Sequence, residues 1–305
     1  MRVSDALLAA LVMALWGFNL VAAKLGMREL PPILLIALRF TVVALVLVWF
    51  VRPPWERMGR ILGLSVTLGG LHFSLMFTGL ARVDASAAAI AIQLQVPFAA
   101  LLAVWAFGDR LGWRRAAGML VAFLGIGLIA GTPRVSQSLE GLGLVLAAGF
   151  VWAVAAIQIK RLGPINGFAL NGWVALFAAP QLFLASLLVE RPQWETLARA
   201  TWMGWGAVLY MAVLVTIVGY GVWYRLLARY DVNQAMPFTL LVPVFGVLSG
   251  VLVLGEPLTR QMLIGGLLTL TGVALIVLRR SAASPRSALG ARGLQRPAAR
   301  RQIVD

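Results

Sequence analysis

Long apolar runs separated by short polar breaks are the dominant pattern of this 305-residue chain. Ten runs can be marked, at 5–24, 33–51, 60–80, 85–107, 113–131, 140–160, 167–189, 203–225, 232–254 and 261–279. Each approaches the roughly 20 mostly apolar residues that a helix needs to cross a bilayer. Pro31-Pro32, Pro53-Pro54 and Gly131-Thr132-Pro133 punctuate the loops, where Pro and Gly break helices. The pattern predicts an all-α integral membrane protein with ten transmembrane helices. The stretch 281–305 differs: five arginines stand among Pro, Ser, Gly and Ala. It has too little apolar surface to bury and is expected to be a disordered basic tail on the cytoplasmic side.

Part of the pattern occurs twice. Leu80–Ile129 and Leu227–Ile276 align without a gap at a shift of 147, with 16 of 50 positions identical, among them Asp84/Asp231, Gly108/Gly255, Gly118/Gly265 and Gly125/Gly272. Asp109 faces Glu256 in this alignment. A weaker match precedes it: Trp16 to Lys24 and Trp152 to Lys160 share a spacing of eight, at a shift of 136. The unit is too long for a solenoid repeat and has only two copies. The chain therefore divides into a first five-helix repeat (1–131), a linker (132–139) and a second five-helix repeat (140–280).

Composition fits a lipid environment. Hydrophobic residues make up 61% and charged residues 12%, against about half and about a quarter in soluble domains. Cysteine is absent, which excludes disulfides and thiol chemistry, and there is one histidine, so neither a metal site nor a cofactor is expected. The net charge of +15 is spread over loops and tail, not over one polar face, and no nucleic-acid partner is expected. Counted by loop, 18 Lys and Arg fall on the side of the N-terminus, the loops after even-numbered spans and the tail; 7 fall on the other, and Arg39 lies inside span two. The basic side is expected to face the cytoplasm, with both termini there. Five spans per repeat is an odd number, so the two repeats are expected to be inverted with respect to each other, as in many secondary transporters.

Ten spans in two repeats, Leu15-Trp16-Gly17 with Lys24 in the first span, and Gly108-Asp109-Arg110-Leu111 and Gly255-Glu256-Pro257-Leu258 closing the fourth and ninth, resemble the drug/metabolite transporter superfamily. More narrowly the chain is similar to its EamA-type exporters over residues 5–280. The resemblance implies a bacterial inner-membrane exporter of small metabolites, often amino acids. The length and aromatic-rich spans look most like the aromatic amino acid exporters. Asp109 stands where the family usually has Glu.

A transport site for an amino acid needs polar groups for the zwitterion and an apolar cage, near mid-membrane between the repeats. His72, in span three, is a candidate for binding a carboxylate or carrying a proton; the alternative is a neutral histidine bonded to a neighbouring helix. Gln93 and Gln95 precede Pro97 in span four, and Pro237 and Pro243 flank Thr239 in span nine. Prolines there free carbonyls that can coordinate an ammonium group; the alternative is kinks or hinges for packing. Trp16, Asn19, Trp152 and Gln158 fall in spans one and six. Tyr220 and Tyr224 in span eight, with Phe73 in span three, are candidate cage walls. Trp49, Trp55, Trp113, Trp194, Trp202 and Trp205 read as an interfacial belt instead. Asp109 and Glu256 read as helix N-caps or loop ion pairs. Gly118, Gly125 and Gly127 in span five and Gly265, Gly266 and Gly272 in span ten read as packing faces, between the repeats or in a homodimer; a monomer and a homodimer both remain open.

The leading expectation is a secondary transporter that exports amino acids by alternating access, broad in range and favouring aromatic and large apolar side chains. The alternative is an exporter of another small-molecule class: nucleoside, sugar derivative or organic cation. A membrane enzyme and an ATP pump are disfavoured, because no catalytic cluster and no GxxxxGK[ST] loop occur; a channel is disfavoured by the lack of a charged ring. The charge count sets a first prediction. Reporter fusions after Gly26 and after Ser281 should report opposite compartments, with Ser281 cytoplasmic. Both fusions reporting one compartment would remove the orientation and the inverted repeat together.

Overall fold

A computed structural model describes residues 1–108, 111–190, 193–230 and 232–278. The expected tail (281–305) and Asp109 lie outside the described residues, as does the side chain of Trp194. The described residues are helical with no strand. In lipid every backbone N–H and C=O must be satisfied within its own segment, and the helix does this. Ten helices are long and apolar enough to span: α1 (Val3–Gly26), α2 (Pro32–Phe50), α3 (Trp55–Arg82), α4 (Ala85–Phe107), α5 (Trp113–Ala130), α6 (Leu139–Leu162), α7 (Gly167–Val189), α8 (Trp202–Arg229), α9 (Met236–Leu254) and α10 (Arg260–Val277).

Local chemistry sets their ends. Pro32 opens α2 in the first turn, where a missing N–H costs nothing. Asn166 accepts from Phe168 N (2.9 Å) and Ala169 N (3.2 Å) to cap α7, and Thr259 accepts from Met262 N (3.1 Å) to cap α10. The helices α4 and α9 end alike, on Gly108 and Gly255 at φ +67°, a left-handed conformation that favours glycine. Two interior irregularities also recur at matching places. The stretches Ser65–His72 of α3 and Tyr210–Gly219 of α8 are wound as π-helix, and a 3-10 turn interrupts α4 at Ile92–Leu94 while another opens α9 at Met236–Leu240. Such departures from α-helix are frequent at functional sites.

Packing crosses the chain halves. α1 lies against α8 and α9, while α6 lies against α3 and α4; α2 pairs with α7, and α5 with α10. Exchanging helix n for helix n+5 maps this set of pairs onto itself. One apolar core joins Ala9, Val12 and Met13 of α1 to Trp223 and Leu226 of α8. Another joins Ile61 and Leu64 of α3 to Ala155 and Leu162 of α6 and to Leu170 and Val174 of α7. Small residues allow the closest approaches. A Cβ on Gly125 would stand 2.4 Å from Thr269 Oγ1 and 2.5 Å from Gly265 O, and one on Gly272 would stand 2.4 Å from Gly118 O. The small faces of α5 and α10 thus bind the two halves to each other, while Gly127 faces open space. Trp49, Trp55, Trp113 and Trp202 lie exposed at helix ends, where an interfacial belt is expected.

Candidate functional site

An aromatic cluster forms where α1, α2, α3 and α8 meet. Trp16 of α1 donates from Nε1 to Val215 O (3.2 Å), a carbonyl in the π stretch of α8. Its ring lies 4.9 Å from Tyr220 and 5.8 Å from Trp223, and Tyr220 lies 5.7 Å from Tyr224. Tyr224 accepts from Asn171 Nδ2 (3.2 Å) and meets Phe168 edge-on at 5.8 Å, which extends the cluster to α7. Trp16, Tyr220 and Tyr224 are each only partly covered.

A cation not singled out as a candidate in the sequence completes this cluster. Arg39 of α2 is 5% exposed. Its Nη2 donates to Thr216 Oγ1 (2.9 Å), and Thr216 Oγ1 donates in turn to Met211 O (2.9 Å) within the π stretch. The guanidinium sits 5.4 Å from the Phe73 ring and 5.9 Å from the Phe40 ring. Nε and Nη1 have no hydrogen-bond partner. The signal was present, as the lone Lys or Arg within the apolar run 33–51. An ionisable residue inside a span is costly and by default marks a functional site.

The other candidates fall around this centre. His72 is buried, with Nδ1 2.9 Å from Ala148 O of α6 and its ring edge-on to Phe73 at 4.7 Å; this placement ties α3 to α6. Asn19, one turn from Trp16 on α1, holds a buried Oδ1 without a partner. Gln158 of α6 donates to Thr67 Oγ1 of α3 (3.0 Å) and also keeps a buried, unpartnered Oε1. Gln93 is buried in the 3-10 turn of α4, on the side packed by α6, and Gln95 and Pro97 follow it. Trp152 is half-buried on α6. Thr239 is satisfied locally, donating to Met236 O (2.7 Å) in the 3-10 turn that contains Pro237, and Pro243 follows in α9. Phe73 thus stands beside Arg39 with His72 against Phe73, while Trp16, Tyr220 and Tyr224 form a second ring group that reaches Arg39 through Tyr220; Gln158, Trp152 and Thr239 make no ring contact with either.

One end of the bundle is closed by carboxylates that cross between the halves. Glu256, 6% exposed, accepts from Ala85 N (2.6 Å), Ser86 N (2.9 Å) and Ser86 Oγ (2.5 Å), capping the N-terminus of α4. Glu190 accepts from Ile33 N (2.7 Å) and Leu34 N (3.0 Å) at the start of α2. Glu29 accepts from Thr201 N (2.8 Å), Thr201 Oγ1 (2.6 Å) and Gly204 N (2.9 Å) at the start of α8. Anions belong at helix N-termini, where N–H groups lack intrahelical partners and the dipole is positive. Of the two readings of Glu256, helix N-cap and loop ion pair, the contacts match the first, and the helix it caps lies in the other half. Beside it is a polar recess of 340 Å³ lined by Lys24, Arg28, Asp84, Arg134 and Glu256. Burial, and then the charge of Glu256, raise the Asp84 pKa above the ordinary carboxylate value, opposed by Arg134 and Lys24. At the opposite end Asp5 accepts from Tyr230 Oη (2.5 Å) and pairs with Arg229 at 3.3 Å, and Arg57 donates to Pro164 O.

A ten-helix bundle with internal two-fold pairing and a polar, aromatic centre is the architecture of a membrane transporter. The chain matches the model of the EamA-like transporter family over residues 4–131 and 139–278, and it belongs to that family. It is 33% identical over 282 residues to a probable amino-acid metabolite efflux pump of Escherichia coli (strain K12), covering 90% of this chain and 94% of that protein. A protein of the same description from Salmonella typhimurium is equally similar, at 33% over 282 residues, 90% of this chain and 94% of that protein. An uncharacterized transporter of Archaeoglobus fulgidus is 25% identical over 278 residues, 89% of this chain and 98% of that protein. A solved crystal structure shares the fold, with a TM-score of 0.60 at 21% identity, covering 97% of this chain and all of that one. Among the described residues, no group of three or more metal-ligating side chains occurs.

The buried cap gives a second prediction. Glu256→Ala strands two N–H groups and a hydroxyl, and the closed end should lose about 1–3 kcal/mol for unsatisfied buried donors. Glu256→Gln, which keeps one good acceptor, should lose less. The chain has no cysteine, so a single Ala85→Cys reports on closure by its reaction with an impermeant maleimide. Labelling should be slow with Glu256, faster with Gln and fastest with Ala. Equal rates in all three would show that the cap does not hold this end shut.

Proposed function

We propose that this chain exports amino acids across a bacterial inner membrane as a secondary transporter working by alternating access, with both termini cytoplasmic and the two repeats inverted. The observation that carries the reading is the pair of cross-half cores, α1 with α8 and α9 and α6 with α3 and α4, meeting around the Arg39–Tyr220 centre and tied at one end by Glu256. Rocking one core against the other breaks the Glu256 tie between α9 and α4 and opens the centre to that side, and the reverse motion restores the tie. The π stretches and 3-10 turns give α3, α8, α4 and α9 soft points where such a motion bends them. Pro97, Pro237 and Pro243 are the hinge residues on this account. The names of the similar pumps support amino-acid metabolites as cargo.

Within that class we assign the cage to Trp16, Phe73, Tyr220 and Tyr224, with Trp152 on the opposite core, and the polar contacts to Asn19, His72, Gln93, Gln95, Gln158 and Thr239. The unpartnered Asn19 Oδ1 and Gln158 Oε1 are acceptors suited to an ammonium group. The aromatic surface favours aromatic and large apolar substrates but discriminates weakly, since apolar contact separates neighbours by only about 1–3 kcal/mol per methylene. The test is counterflow into proteoliposomes with labelled amino acids, nucleosides and sugars. Several amino acids should show trans-stimulation. Tyr220→Ala should lower transport of phenylalanine and tyrosine about three- to tenfold, the scale of one aromatic pair, and that of alanine or serine less. Transport of nucleosides or sugars but of no amino acid would refute the cargo assignment.

A further inference from the structure

Among the described residues, Arg39 has two buried side-chain nitrogens without a partner, where Asn19, Gln158 and Trp173 have one such atom each. Arg39 is 5% exposed and uses one hydrogen bond, to the neutral hydroxyl of Thr216. A guanidinium carries five N–H donors, and here Nε and Nη1 have no partner. Phe73 and Phe40 offer ring faces at 5.4 and 5.9 Å, which hold the cation in place but accept no proton. Among the described residues the salt bridges join other pairs, and no carboxylate faces Arg39. Its charged surroundings are poor: the Tyr220 phenol and the His72 imidazole are the titratable neighbours close enough to interact with it. A buried charge is ordinarily paired. This one lies seven residues into α2, about 10 Å along the helix from Pro32 at 1.5 Å per residue.

We propose that Arg39 is the anchor for a carboxylate on the transported solute, and that the cargo class is therefore carboxylate-bearing. The proposal rests on the reading of the chain as a carrier and sharpens it. Nη1, with the second proton of Nη2, presents one side of a planar fork, and a carboxylate matches that fork with its two oxygens. Binding supplies the missing counter-charge and gives Nη1 a partner in one step. Thr216 has a defined part: it holds Nη2 from the π stretch of α8, so the anchor is a joint property of α2 and α8, one in each half of the chain. A solute that pairs with Arg39 then feels the relative position of the halves. Selectivity follows from the same geometry. An ester or amide keeps an acceptor oxygen but brings no charge, and an amine without a carboxylate adds a second cation beside the first.

The test compares an amino acid with its amide, and an acid lacking the amine with an amine lacking the acid. Binding to purified full-length protein is measured by ligand-induced thermal shift and competition, using phenylalanine, phenylalaninamide, 3-phenylpropionate and phenethylamine as probes. The wild type should prefer phenylalanine to phenylalaninamide by about tenfold or more, and 3-phenylpropionate to phenethylamine likewise, as charge-assisted hydrogen bonds imply. Arg39→Gln should reduce the acid-to-amide ratio to near one while leaving amide binding within about twofold, and Arg39→Lys should keep part of the preference, because the point charge remains and the fork is lost. A purely structural Arg39 would instead weaken acid and amide alike in Arg39→Gln, and that result overturns the proposal. So does a wild type that binds none of the acids, or binds amides equally well, a comparison that needs no variant to fold. Counterflow on the same protein separates the two claims: acid preference without trans-stimulation removes the carrier and keeps the anchor, and trans-stimulation without acid preference does the reverse.

Discussion

The Glu256 carboxylate on the N-terminus of α4 is the contact on which the arrangement of the two cores depends most. Three donors converge on it, two of them backbone N–H groups that the helix itself cannot satisfy. It works because Gly255 turns the chain at φ +67° and delivers the side chain sideways, away from α9 and toward α4. It also works because Gly250 leaves room: a Cβ there would stand 2.6 Å from Glu256 Oε2. Glu190 on α2 and Glu29 on α8 repeat the device at the same end of the bundle, each time across the halves. Anion and helix terminus attract without burying apolar surface, so such a contact can be broken by water, unlike the close glycine packing of α5 on α10.

On the proposed cycle, that difference separates parts that hold from parts that move. Helices α5 and α10 are packed backbone to backbone. Within the cores α1 and α9 are as close, since a Cβ on Gly17 would lie 2.6 Å from Phe245 Cβ, and α3 meets α6 at Gly79, where a Cβ would lie 2.8 Å from Gly141 O. Between the cores α9 also meets α4 closely near the Glu256 end, where a Cβ on Gly246 would lie 2.7 Å from Ala89 Cβ. Around Arg39 the contacts run through α2 instead, as ring faces at 5.4 and 5.9 Å and one hydrogen bond to Thr216, and the proposed site lies there.

Much of this was legible in the sequence, because lipid imposes a strong pattern. Ten runs, the 147-residue shift and the glycine faces follow from apolar length and small-residue spacing, and the helices appear where the runs lie. The ends differ where local rules compete. The run 203–225 continues helically through Arg225 to Arg229, since charges end an apolar run without ending a helix. The run 232–254 becomes a continuous span only from Met236, where Pro237 sits in a 3-10 turn. The site was less legible. Trp16, Phe73, Tyr220 and His72 were named from type and depth, but their grouping depends on α1 packing across to α8. Arg39 was visible as a charge in an apolar run, yet its lack of a partner exists only in three dimensions. Glu256 reaches across 171 positions to Ala85, and no local pattern encodes such a contact.

The central claim is that transport requires the cores to separate at the Glu256 end. Ala85 lies under the Glu256 carboxylate, its N–H donating to Glu256 Oε1. A single Ala85→Cys in this cysteine-free chain marks that contact, and a maleimide attached there wedges the cores apart. Amino acid counterflow by the unlabelled variant should persist, and counterflow by the fully labelled variant should stop. Undiminished counterflow by the fully labelled variant would contradict the account.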